Sequence, residues 1–446
     1  MDPHHCLQGI ALRVCARGLL RLFVCAMVVL ILAAGRAPAQ LVSGRFVTSL
    51  YTWEKFDTVG VSNTYLRAFQ TAQLTVAQGD LSLHTYLQGA VNATSDFGDL
   101  GRVRAYNLYF RWANIGKMVD LSLGRLPVYA GVGNGTIDGL QAKGRFFGRK
   151  LMVTGYWGAV VPPAYTQLAD NWGKNRMFGG QIVTTALANT RLGVSYTYRR
   201  EERPSYVTLR ADSNYIARPY TVTFDGPSLE LLGGDAYVTV AKRLSLYGRY
   251  DYDLLAMRTS RGQVGGRLQV IDRLDITAEF IHRVPRISFN SLFTAFVNSA
   301  VDEVEGGVEY EVLPRVRAFG RLANVTYSDD RSMRWTLGVN SGYGSLAYSG
   351  SNGYAGTLST FSLYGSYPLM DNMLVPSAGV TFTLYRLDPG LDRQDALAVV
   401  AGATVRPSPP FAIDLQGQWL ANPVYAHDLR LQARFTYWFS ENLQLL

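Results

Sequence analysis

Beyond residue 39 the chain alternates apolar and polar side chains with a period of two. In 243–254 one set is Leu244, Leu246, Gly248, Tyr250, Tyr252 and Leu254; the other is Arg243, Ser245, Tyr247, Arg249, Asp251 and Asp253. In 303–312 Val304, Gly306, Val308, Tyr310 and Val312 alternate with Glu303, Glu305, Gly307, Glu309 and Glu311. The same pattern runs through 273–283 and 428–439. Successive side chains of a strand point to opposite faces, so each segment predicts a strand with one greasy and one wet face. Such segments recur along the whole chain and give a nominal count of 22 strands. The pattern is weakest in 43–53, 134–143, 333–340 and 345–350, so a range of 16–22 stays open.

The connections separate this pattern from a soluble sandwich. Tight turns (Ala241-Lys242-Arg243, Ile271-Asp272-Arg273, Leu313-Pro314-Arg315) alternate with longer links at 201–227, 285–301 and 388–394. Short turns at one end and longer loops at the other are the arrangement of transmembrane barrels, with periplasmic turns and extracellular loops. In lipid every backbone N–H and C=O needs an internal partner, so a membrane sheet must close on itself. The expectation is an all-β fold: a single closed antiparallel transmembrane β-barrel. A barrel of this size cannot fill its interior with its own side chains, since ~16–18 strands already enclose water. It therefore encloses an aqueous lumen unless a loop plugs it.

The first residues change the compartment. Arg13, Arg17 and Arg21 precede an apolar run, Leu22–Ala34, and Ala37-Pro38-Ala39 is a small-x-small cleavage site. This reads as a secretory signal peptide over 1–39, followed by the barrel over 40–446. The apolar run is shorter than the ~20 residues that span a bilayer as a helix. All three cysteines (Cys6, Cys15, Cys25) lie in that leader, so the exported part has no disulfide framework. The net charge is +9; the leader carries four arginines and one aspartate, leaving +6. The basic residues are dispersed rather than clustered, which disfavours nucleic acid as a partner. Outer-membrane lipid, lipopolysaccharide and small hydrophilic solutes, with a weak preference for anions, fit better; homo-oligomerisation is left open.

Two segments resemble the bacterial outer-membrane porin superfamily, including its alginate-export-like barrels. One runs from Leu121-Ser122-Leu123-Gly124-Arg125 through Gly131-Val132-Gly133 to Ile137-Asp138-Gly139. It resembles a porin strand–loop–strand that returns close on itself, with Gly124, Arg125, Asp138 and Gly139 as the hairpin motif and the Arg and Asp as candidates to bridge within it. Glycines serving tight loop geometry are the alternative reading. The other is the last alternating segment with Phe435, Tyr437 and Phe439, similar to the signal read by the barrel-assembly machinery. Here Ser440–Leu446 follow the aromatic residue, where the family ends on it. The resemblance implies an outer-membrane location and a channel for passive diffusion, not an enzyme.

Candidate pore-lining residues are the charges that alternate with apolar positions: Arg249, Asp251, Arg267, Glu279, Glu305, Glu309, Arg317 and Arg321. Across the tight turns Glu311 falls opposite Arg317, and Arg267 opposite Thr277, one step from Glu279. They form either a salt ladder that stiffens the wall or a transverse field that orients solutes. Segment 285–301 has apolar residues at helical spacing. Phe289, Asn290, Phe293 and Phe296 are therefore constriction-loop candidates, with an external packed loop as the alternative. The link 201–227 reads as a solvated loop. Tyr106, Trp112, Tyr156, Trp157, Tyr250, Tyr252, Trp419, Tyr437 and Trp438 are candidates for interfacial girdles, some of which must face the lumen. A lumenal row of such rings would stack on sugars, but the sequence does not single one out.

No metal-ligand spacing joins His84, His282 and His427, and no cofactor motif is present. Two other readings compete with the channel. A lipid-acting barrel enzyme would need a serine, a histidine (His282 or His427) and an acid at the membrane rim. A plugged structural or adhesive barrel would need a blocked lumen.

Overall fold

The computed structural model describes residues 40–58, 61–92, 103–162, 172–202, 205–211, 215–223, 226–286, 299–328, 330–353, 356–424 and 427–443. The chain begins with β1 (Gln40–Thr58), β2 (Val61–Gln78), β3 (Leu81–Asn92), β4 (Val103–Ile115), β5 (Val119–Ala130) and β6 (Gly133–Phe146). It continues through β7 (Leu151–Val160), β8 (Arg176–Thr184), β9 (Thr190–Arg200), β10 (Tyr206–Ala211), β11 (Ala217–Val222) and β12 (Leu229–Val240). Next come β13 (Leu244–Asp253), β14 (Arg258–Ile271), β15 (Leu274–Arg283), β16 (Val301–Leu313), β17 (Val316–Tyr327) and β18 (Asp330–Ser341). The last six are β19 (Gly344–Gly353), β20 (Gly356–Ser366), β21 (Leu374–Arg386), β22 (Gln394–Ser408), β23 (Phe411–Ala421) and β24 (Asp428–Leu443).

Twenty-two of these form one antiparallel sheet in which each strand pairs with the next, β9 with β12, and β24 with β1. The sheet is thus a closed barrel of 22 strands. The seam runs from Gln40↔Leu443 to Thr52↔Leu431. Ser440–Leu443 therefore extend the final strand, and the aromatic signal is internal to it.

The alternation read from sequence fixes the faces. Leu246, Val264, Ile276, Phe280, Val308, Leu322 and Leu337 are exposed on the outer surface, giving the apolar belt that a lipid-facing wall requires. Their strand neighbours turn inward. The tight turns are made by residues with left-handed backbone, as at Ala241 (φ 50°) and Lys242 (φ 61°), whose twist matches that of the flanking strands.

The link 201–227, read as a solvated loop, is largely exposed where described, and within it β10 and β11 pair from Tyr206↔Val222 to Ala211↔Ala217. The β-branched and aromatic residues Val207, Thr208, Tyr220, Thr221 and Val222 favour this outlying hairpin over coil. The segment 1–39 and the candidates Phe289, Asn290, Phe293 and Phe296 lie outside the described residues.

Val308 lies mid-strand on the outer face and Glu309 beside it on the inner. Val308→Arg is expected to destabilise the barrel in lipid by about 2–4 kcal/mol, and Glu309→Gln by clearly less. Urea unfolding in vesicles measures this; equal losses would contradict the assignment of faces.

Candidate functional site

Among the described residues the wall is interrupted between β4 and β7. Pairing between β4 and β5 stops at Leu108↔Arg125, although β4 continues to Val103. Pairing between β6 and β7 stops at Ile137↔Val160. Beyond these points the ladder runs within the hairpin, from Leu126↔Ile137 to Ala130↔Gly133, with one further bond from Val161 N to the Thr136 carbonyl at 3.0 Å. This hairpin leaves the wall and lies inside the barrel.

Its base is the motif read from sequence. Gly124 has φ +125°, a backbone conformation that side chains other than glycine rarely adopt, and its Cα sits close to the Leu108 carbonyl. Arg125 and Asp138 are directly opposite and both buried. Arg125 Nε and Nη2 donate to Asp138 Oδ1 and Oδ2 at 2.7 and 2.8 Å. Arg125 Nη1 also donates to the Ala105 carbonyl at 3.0 Å. Ala105 is on the stretch of β4 that β5 has abandoned, so the guanidinium supplies a donor where the sheet no longer does. Gly139 packs backbone to backbone on Gly158, leaving no room for a Cβ.

The hairpin lies flat on the inner wall. Leu126, Val128, Ala130 and Ile137 cluster with Tyr156, Val160 and Met177 of β7 and β8. At the tip, Val132 N donates to Ser195 Oγ of β9 at 3.0 Å. A Cβ on Gly131 would collide with Ser195, and one on Gly133 with the Tyr156 hydroxyl. Val132 itself rests on Gly233 of β12. Small residues on both partners thus allow close contact. Tyr156, a girdle candidate from sequence, faces inward under the hairpin and donates to Thr197 Oγ1 at 2.9 Å. Trp438 also faces inward, whereas Trp112, Trp157 and Tyr250 lie exposed on the outer surface.

The hairpin's other face carries Tyr129 and Asn134, cross-strand neighbours that are both exposed, Tyr129 at 75%. They border a cavity of about 840 Å³ whose far wall bears Arg191, Asp235, Arg249, Asp251, Arg261, Arg283 and Arg286. Arg191 pairs with Asp235, and Arg249 with Asp251 at 3.0 Å. Arg261 Nη2 donates to Gln263 Oε1 at 2.5 Å, and Arg286 to Ser260 Oγ. Arg261, Arg283 and Arg286 make no direct ion pair among the described residues, and the cavity lining holds five arginines and two aspartates, with Asp253 also near Arg286. Burial lowers the pKa of Arg286, Asp253 and Asp251 oppose this, and Arg249 adds to it. An arginine is a cation at neutral pH regardless.

The eight charged residues read from sequence all sit on inward positions, but not in one ring. Arg249 and Asp251 line the cavity beside the hairpin. Arg267, Glu309 and Arg317 line a second cavity of about 260 Å³ towards the tight-turn end. There Arg267 is 2.6 Å from Asp275 and 3.9 Å from Glu309, which is 3.3 Å from Arg321. Glu279 accepts from the Tyr247 hydroxyl at 2.6 Å and from Gln263, while Glu305 is 3.5 Å from Arg334. Glu311 is opposite Arg317 and Arg267 opposite Thr277, in the register read from the turns. Sequence reasoning missed Tyr129, Asn134, Arg191, Asp235, Arg261, Arg283 and Arg286. The inward parity of Arg261 and Arg283, shared with Gln263 and Glu279, was the available signal for those two.

His282 is on the outward parity and meets Asp302 at 2.6 Å, with Gly262 and Thr326 as the next cross-strand neighbours. His427 stacks on Trp419 at 6.0 Å. The described hydrogen bonds bring no serine to either histidine.

The wall is closed, its outside is apolar and a hairpin is held within: the fold is a closed 22-strand antiparallel β-barrel. No family model and no curated protein matches the chain. Similar solved structures include the translocation pore of the P pilus usher PapC, at 9% identity over 89% of this chain and 99% of that one, TM-score 0.45. OccAB4 of Acinetobacter baumannii matches at 9% identity over 91% and 99%, TM-score 0.42. A BenF-like porin from Pseudomonas fluorescens Pf-5 matches at 9% over 90% and 99%, TM-score 0.41. The likeness is one of general barrel shape.

Removing one partner of a buried ion pair strands the other charge. Arg125→Leu and Asp138→Leu are each expected to cost about 3–5 kcal/mol, and the double variant less than the sum. Unfolding of the three variants in detergent checks this; strictly additive losses would contradict the pairing.

Proposed function

We propose that this barrel is an outer-membrane channel for the passive diffusion of small hydrophilic solutes, narrowed by the β5–β6 hairpin and biased towards anions. The observation that carries the reading is the hairpin held inside the lumen opposite an arginine-rich wall. A structure that only needed to fill its interior would bury both faces of that hairpin. Here one face is buried and the other presents Tyr129 and Asn134 to a polar cavity.

No bond is made or broken in this mechanism. Solutes cross in water, and the fixed charges set which ones are enriched at the narrowest point. Guanidinium groups without carboxylate partners keep their field, whereas Arg191 and Arg249 are largely neutralised by their aspartates. The secretory leader read over 1–39, contact with lipopolysaccharide and insertion by the barrel-assembly machinery belong to the same proposal. The outward belt of apolar residues supports the membrane setting.

Planar-bilayer recording of the refolded chain tests this. The expected result is stable ohmic conductance with a reversal potential on the anion side in a potassium chloride gradient. Arg283→Glu with Arg286→Glu should move that potential towards the cation side. Absence of conductance from a correctly folded barrel would remove the channel reading. An unmoved reversal potential would remove the role of the arginines.

A further inference from the structure

The opposite side of the lumen has a different chemistry. Five inward side chains lie in one transverse row across β24, β1, β2, β3 and β4, each in direct register with the next. The row is Trp438, Arg45, Gln73, Tyr86 and Asn107. Arg45 Nε donates to Gln73 Oε1 at 2.7 Å. One step towards the tight-turn end, His84 stacks on Tyr109 with centroids 4.9 Å apart and bonds Thr75 and Ser82 at 3.2 and 2.9 Å. These residues border a cavity of about 790 Å³ that opens on the lumen.

We propose that this surface binds neutral saccharides. A pyranose ring has an apolar C–H face and a rim of hydroxyl groups that both donate and accept. Aromatic rings match the face. Planar amide, guanidinium and imidazole groups match the rim, because each offers fixed donors or acceptors to neighbouring hydroxyls. The row alternates the two kinds: ring, guanidinium, amide, ring, amide. The Trp438 ring is 41% exposed and available as a platform. Among the described residues no carboxylate borders the cavity, and the arginine that does, Arg45, gives Nε to an amide oxygen. A single guanidinium among rings, amides and hydroxyls distinguishes this wall from the arginine-rich one, and most of its lining offers neutral partners to a ligand. The cavity lies within the ~300–1,000 Å³ range of small-molecule sites. Further along β1 and β2 the same face carries Tyr51, Trp53 and Tyr65, stacked at 5.4 and 5.5 Å, so aromatic surface continues towards the loop end.

The inference rests on the channel reading only for how a sugar reaches the site, and two measurements keep the two apart. In planar bilayers, maltotriose should produce concentration-dependent blockade that polyethylene glycol of the same size does not. Trp438→Ala and Tyr86→Ala should each weaken the blockade about tenfold, the scale of one lost aromatic contact. Trp438→Phe should restore most of it. Conductance without sugar-specific blockade would overturn the saccharide site and leave the channel. If the folded barrel does not conduct, calorimetric titration of maltotriose into the detergent-folded chain decides. Saturable binding weakened in Trp438→Ala supports the site, and no binding overturns it.

Discussion

Every backbone donor and acceptor in a lipid-facing wall must be paired within the wall, and that single constraint organises this protein. It requires β24 to meet β1, which it does from Gln40↔Leu443 onward. It also sets the terms on which the wall can be opened. When the β5–β6 hairpin leaves for the interior, β4 loses a neighbour above Leu108. Arg125 then donates to the exposed Ala105 carbonyl while Asp138 balances its charge. The ion pair thus patches the wall at the point where the constriction departs from it.

Function follows from dividing the lumen. The hairpin covers the inner surface of β7–β9 and removes it from solvent. Two chemically distinct surfaces are left: an arginine-rich one on β12–β15 and a ring-bearing one with a single arginine on β24–β4. On the channel reading proposed above, a solute that carries charge and one that carries hydroxyls would follow different walls of one passage.

Much of this was legible in the sequence because a barrel strand has two unlike faces. Alternation in 303–312 and 428–439 assigned side chains to inside and outside directly, and even the weak segments 333–340 and 345–350 fall within β18 and β19. Tight turns fixed register well enough to place Glu311 opposite Arg317. Register alone did not give the ion partners. Arg267 reaches Asp275 and Glu309, while Glu279 is taken by Tyr247 and Gln263, because long side chains choose among diagonal neighbours. The constriction was harder to read. The run Leu126-Pro127-Val128-Tyr129-Ala130 breaks the alternation, and glycines stand at 131, 133 and 135. An element leaving a half-wet wall for closer packing shows this pattern, but the neighbours that receive it, Ser195 and Gly233, are distant in sequence.

The account depends most on the hairpin tip lying against the inner wall of β12. Val132→Cys with Gly233→Cys tests that contact directly, since residues 40–446 contain no native cysteine and the two positions touch. Oxidation of the folded barrel should give an intramolecular disulfide in nearly all molecules, with neither thiol open to a membrane-impermeant maleimide afterwards. Two freely labelled thiols and no cross-link would place the hairpin outside the lumen.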